Sequence, residues 1–239
     1  MVLPPEERLN FFVYIIESPS APDLYHRRSE GELIEKSLSL HNIPCVTRLV
    51  ISREAFEASI KVGLAEEMKN FPELLPILHI SAHGGALGLQ LSNGEEISWA
   101  DLRSLLLPVS KALDGGLLLC MSSCEGFSAC RMAMQSKSNE YPFFAVIGNT
   151  KKPTWSDTAI AYATFYHLIA KGEYVTQAVE AMQVAAGDYN FINITATAAQ
   201  QAYLDVINKV DAVDARAELQ QEADKEPPSS MAKKLENSK

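Results

Sequence analysis

The sequence predicts an α/β protein built on an open, mostly parallel sheet with helices on both faces. Three observations carry this reading. Short runs rich in β-branched and aromatic residues recur along the chain, and segments with helical length and apolar spacing separate most of them. A right-handed crossover between parallel strands must also lay its helix on a face of the sheet. The predicted order is βαβαβ(hairpin)αβαβαα.

The elements follow in turn. "FFVYIIES" (11–18) reads as a strand, and the stretch from about Leu24 to Asn42 reads as one helix ending before Pro44. "CVTRLVIS" (45–52) is a second strand. Between Arg53 and Asn70, Phe56, Ile60, Leu64 and Met68 recur every four residues, which places them on one helical face turned to the sheet. "PILHISAHGG" (76–85) is a third strand, and the alternation around Asn93-Gly94 in 88–98 is a hairpin signal. Ser98 with Asp101 opens the helix "WADLRSLLL", which Pro108 is expected to stop. A strand (116–122), a helix from about Gly126, a strand (143–149) and helices at about 156–171 and 173–186 complete the core. Residues 1–194 read as one domain, 195–226 as a helical extension, and 227–239 as a tail too polar to join a core.

Composition narrows the function. With 239 residues and 47% hydrophobic side chains, the chain supports one sizeable core. The net charge is −9, and no basic cluster exceeds a pair, so nucleic acid and anionic membrane are not expected partners. The start has no basic n-region, and no apolar run approaches the roughly eighteen residues of a spanning helix. The expected location is therefore cytoplasmic. The four cysteines, at 45, 120, 124 and 130, do not form a secreted disulfide framework.

Chemistry concentrates at two strand ends. The third strand runs into His83-Gly84-Gly85, and the next ends in "LLLCMSSCEG", with Cys124 just past it. In an open parallel sheet, active groups collect beyond the carboxyl ends of the strands. If these two strands are neighbours, roughly 5 Å apart, an imidazole and a thiol meet at one edge as a Cys-His dyad. The helix from Gly126 would then aim its positive end at the sulfur and favour thiolate. The glycines after His83 admit close backbone approach to a substrate. A cysteine at a strand end also reads as a small buried hydrophobe, the role assigned to Cys45, Cys120 and Cys130. A zinc site joining His79, His83 and Cys124 fails on distance, because strand residues four apart are separated by roughly 13 Å. His79 is therefore a core histidine, and neither a metal nor an organic cofactor is expected.

"HISAHGG" and "LLLCMSSCEG", whose Cys124 lies 41 positions after His83, resemble the His-Gly and Ser-x-Cys motifs of caspase-like cysteine peptidases, in particular the bacterial CHAT family. The segment "PFFAVIGNTKKPTWSDTAIAYATFYHLIAKGEYVTQAVEAM" is similar to a later CHAT region, and the likeness covers about residues 76–190. Ser-Ser-Cys stands where a true caspase has Gln-Ala-Cys. The resemblance implies a caspase-like sheet and a cysteine endopeptidase. Cys124 would be the nucleophile and His83 the general acid/base, with the N–H groups of Gly84 and Cys124 as oxyanion hole. It also implies a P1 pocket formed by Glu17, Ser122, Asn149, Thr150, Trp155 and Asp157, whose two acids suit a basic P1 residue. Asp157 reads equally as a helix cap, and Glu125 either steers the substrate or, the commoner case, stabilises its own helix terminus by charge. CHAT-like domains commonly lie beside sensor modules, so the resemblance implies a regulatory protein partner besides the peptide substrate. The alternatives are a caspase-like domain retained only for interaction, and a small-molecule hydrolase. The hydrolase reading is weakened by the lack of a Gly-x-Ser-x-Gly elbow.

Overall fold

The computed structural model describes residues 4, 8–134 and 140–225, with side chains in the last helix described as far as 210. Strand β1 (Phe11–Ser18) leads to helices α1 (Ala21–Tyr25) and α2 (Glu30–Ser39), then strand β2 (Cys45–Leu49). Helices α3 (Arg53–Ala58) and α4 (Ala65–Asn70) are joined by a π-helical turn at Ser59–Leu64. Next come β3 (Leu75–Gly85), the hairpin β4 (Gly88–Gln90) and β5 (Glu96–Ser98), α5 (Trp99–Ala112) and β6 (Leu118–Ser122). A 3₁₀ turn (Gly126–Cys130) runs into α6 (Arg131–Met134), followed by β7 (Ala145–Asn149), α7 (Trp155–Ala170), α8 (Val175–Ala186), β8 (Phe191–Thr195) and α9 (Ala196–Lys225).

The main sheet has the order β2-β1-β3-β6-β7-β8; β8 alone runs antiparallel, and the β4–β5 hairpin hangs from the end of β3. All eight residues of β1 are buried, and their alternation divides the core. Phe12, Tyr14 and Ile16 face one cluster with Phe56, Ile60, Leu64, Leu102 and Leu106. Phe11, Val13 and Ile15 face another with Ile34, Leu38, Tyr162, Phe165 and Met182. Helices thus cover both faces, and the fold class is the predicted one. The chain divides into two compact units, Met1–Gln200, which holds the sheet, and Gln201–Lys239. The predicted tail, 227–239, lies outside the described residues.

Four local expectations are corrected. The helix expected over 24–42 is broken after α1, where Arg27 takes a positive φ and Ser29 caps α2 by accepting from Glu32 N. Pro108 does not stop α5. The helix runs on to Ala112 because Leu102, Leu106 and Val109 lie in the first core, and that packing outweighs the roughly 3 kcal/mol cost of an interior proline. The helix expected from Gly126 begins as a five-residue 3₁₀ turn. "FINIT" (191–195) forms an unpredicted edge strand on β7, pairing Phe191 with Asn149 and Thr195 with Ala145.

Candidate active site

Strands β3 and β6 are direct neighbours in parallel register, with Ser81 opposite Ser122. The chain leaves both strands at the same edge, and His83 and Cys124 line one cleft with Ala82, Ser122, Ser123, Pro153, Trp155 and Thr158. Gly84 makes this proximity sterically feasible. A Cβ there would stand 2.9 Å from Ser123 Cβ and 3.0 Å from the Cys124 carbonyl oxygen. Gly126 and Gly148 tighten the far side of the loop: a Cβ on Gly148 would lie 2.5 Å from Phe127 N. The loop after β7 is tied to the cysteine loop by Glu125 N–H donating to the Lys151 carbonyl at 2.7 Å.

The cleft is small, with a free volume of about 20 Å³, room for about one water molecule. Trp155 packs edge-on against His83, with ring centroids 6.3 Å apart. Among the described residues no hydrogen bond joins His83 to Cys124. The Cys124 thiol is held above its ordinary range, first by burial and then by the Glu125 carboxylate, while Lys152 and a backbone N–H pull it down. The helix expected to favour thiolate begins instead as a short 3₁₀ turn. Five residues of 3₁₀ turn supply little aligned dipole, and Glu125 at its start adds the wrong charge. Burial pushes the Cys120 and Cys45 thiols much further, to about 12 each.

The residues expected to form a P1 pocket separate. Ser122 and Trp155 line the cleft. Glu17 does not: it is 1% exposed, and its carboxylate accepts from Glu30 N at 2.6 Å and Gly31 N at 3.3 Å on one oxygen and from Ser29 Oγ at 2.6 Å on the other. That carboxylate therefore caps α2, and burial raises its pKa. Asn149 is also buried. Its amide donates to Asp188 Oδ2 at 2.7 Å and its carbonyl accepts from Lys151 N at 2.7 Å, so it shapes the loop rather than facing a substrate. Thr150 N–H donates to the Asn190 carbonyl. Asp157 closes a capping box on α7, accepting from Thr154 Oγ1 at 2.6 Å, which is the cap reading of that residue. Glu17 and Asp157 are both engaged at helix starts, which leaves neither carboxylate to receive a basic P1 residue.

Sequence reasoning missed four lining residues. Ser123 Oγ is buried at the cleft without a hydrogen-bond partner among the described residues, and Ala82, Pro153 and Thr158 also line it. None carried a motif of its own. His79 is buried as expected: its Nδ1 lies 2.7 Å from Tyr166 Oη and its ring packs edge-on against Tyr162. His167 Nδ1 and His41 Nε2 lie 2.8 Å apart between α7 and the end of α2. Among the described residues no helix is long and apolar enough to cross a membrane.

No family model and no curated protein matches the chain. Among solved structures it is similar to the complex of the pro- and mature domains of RgpB from Porphyromonas gingivalis. The match has 10% identity and a TM-score of 0.47 over 80% of this chain. The chain spans about half, 51%, of the length of that protein.

Proposed function

We propose that the chain is a caspase-like cysteine endopeptidase of CHAT type in which Cys124 and His83 form the dyad. The observation that carries the reading is the register of β3 and β6, which delivers the two side chains to one cleft from adjacent strand ends. In the proposed reaction the Cys124 thiolate attacks a peptide carbonyl and the resulting oxyanion is met by the N–H groups of Gly84 and Cys124. His83 protonates the leaving amine and then activates water to hydrolyse the acyl-enzyme. Ser122 and Trp155 are the residues of the predicted substrate pocket that remain at the cleft.

The small cleft, with room for about one water molecule, and the raised thiol support a resting state that a separate protein partner opens. A partner need favour the open arrangement by only about 3–4 kcal/mol to bring a state populated near 1% to a clear majority. The same two observations favour, as a second reading, a caspase-like module that binds partners without cleaving them. Hydrolysis of fluorogenic peptides and labelling by a peptide-based thiol probe separate the two. Cys124→Ala and His83→Ala should each remove activity by several orders of magnitude while Cys120→Ala keeps it. Peptide cleavage by Cys124→Ala at the unmodified rate would refute the dyad, and absence of Cys124-dependent turnover even with a bound partner selects the interaction module.

A further inference from the structure

Two serines hold equivalent places before the two dyad residues. Ser81 lies two residues before His83 on β3, and Ser122 lies two residues before Cys124 on β6, and they are register partners across the strand pair. Both hydroxyls donate to the same carboxylate. Glu30, 3% exposed, accepts from Ser81 Oγ at 2.5 Å and from Ser122 Oγ at 2.8 and 2.7 Å on its two oxygens. Its own backbone N–H is gripped by Glu17, which lies opposite Ser81 on β1. His79 completes the surroundings, with Nε2 3.9 Å from Glu30 and no hydrogen-bond partner among the described residues. The start of α2 thus ties together the ends of three strands, two of which lead directly into the candidate dyad.

A buried acid is a poor device for stability alone. Its desolvation cost is large, and apolar residues of similar volume often serve a core as well or better. We propose that Glu30 is a positioning residue that sets the separation of His83 and Cys124 by clamping Ser81 and Ser122. The proposal rests on the dyad reading. Ser81 shares β3 with His83, and Cys124 follows Ser122 by two residues just past the end of β6, so a shift of either serine is carried along the short intervening backbone to the dyad residue. A displacement of about 1 Å at a reacting group can cost about 100-fold in rate.

The test compares Glu30→Leu, Glu30→Gln and His83→Ala in the full chain. The first readout is the pH profile of Cys124 alkylation by iodoacetamide, followed by mass spectrometry. The second is kcat and KM for Cys124-dependent peptide hydrolysis. His83→Ala should move the alkylation midpoint upward because the thiolate loses its imidazolium partner. Glu30→Leu should move it in the same direction and lower kcat by about 100-fold with little change in KM. Glu30→Gln, which can still accept from one serine and donate to the other, should recover much of both. A merely structural Glu30 would change melting temperature and leave the alkylation midpoint in place. If His83→Ala moves the midpoint and Glu30→Leu does not, the clamp is wrong and the dyad stands. If His83→Ala leaves the midpoint unmoved, the dyad falls and takes the clamp with it. Should Glu30→Leu fail to fold, Glu30→Gln carries the comparison, and a profile and kcat identical to the unmodified protein overturn the proposal.

Discussion

Replacing Gly84 by alanine gives the sharpest test of how the cleft is assembled. The added Cβ would lie 2.9 Å from Ser123 Cβ and 3.0 Å from both Ser123 Oγ and the Cys124 carbonyl oxygen. Non-bonded carbon atoms settle at about 3.5–4.0 Å, so β3 and the cysteine loop must separate by about half an ångström. The Cys124 carbonyl belongs to the backbone and cannot rotate away. Overpacking of this kind costs about 1–3 kcal/mol, offset by about 0.4–1 kcal/mol from the stiffer unfolded chain. Half an ångström is also about the tolerance of a catalytic constellation, so peptide turnover should fall by roughly tenfold. Gly85 is the internal control: a Cβ there meets nothing within 4 Å, and its φ is not positive. Gly85→Ala should match or slightly exceed the unmodified protein in stability and keep its rate. Urea unfolding and Cys124-dependent hydrolysis, measured on both variants, check the argument. Equal stability and equal rates for the two alanine variants would refute the close approach of Gly84 to the cysteine loop.

Asp157→Ala, by removing the acceptor of the α7 capping box, should lower stability by about 1 kcal/mol and leave unchanged the ratio of rates on peptides ending in arginine and leucine. A selective loss for arginine would restore Asp157 to the substrate pocket. Trp155→Ala should open the cleft and speed alkylation of Cys124 several-fold, whereas an unchanged rate would show that Trp155 does not limit access to the thiol. Burial holds the Glu17 carboxyl above its ordinary 4.5, so the native state keeps a proton that the unfolded chain has released. Stability should therefore fall as pH rises from 4.5 through the raised value. Glu17→Gln, which keeps an acceptor for the α2 start, should flatten that fall, and an unchanged slope in urea unfolding across this window would show that Glu17 does not cause it.

What could be read before folding, and what could not, divides along a physical line. Periodicity reports which face of an element is buried, and it placed Phe56, Ile60 and Leu64 correctly against the sheet. It also placed the ends of β3 and β6, because a strand that closes on glycines or serines shows its end in the chain. Pro108 misled because local propensity sees only the lost hydrogen bond, while Val109 and Leu113 beyond it pack into the first core. The break before α2 did have a local signal, Ser29 followed three residues later by Glu32, overridden by the apolar spacing around it. Charge was the least legible property. Glu17 looked like an acid awaiting a basic substrate and Asp157 equally like such an acid or a cap, but a carboxylate beside unpaired N–H groups is captured by a helix start once the chain folds. Glu30 carried no signal of its own, lying inside the helix expected over 24–42, and only the pairing of two distant strands brings Ser81 and Ser122 to it. Strand pairing of this kind is fixed by sheet order, which no local pattern encodes, so the chemistry of the cleft was readable one residue at a time while the scaffold beneath it was not.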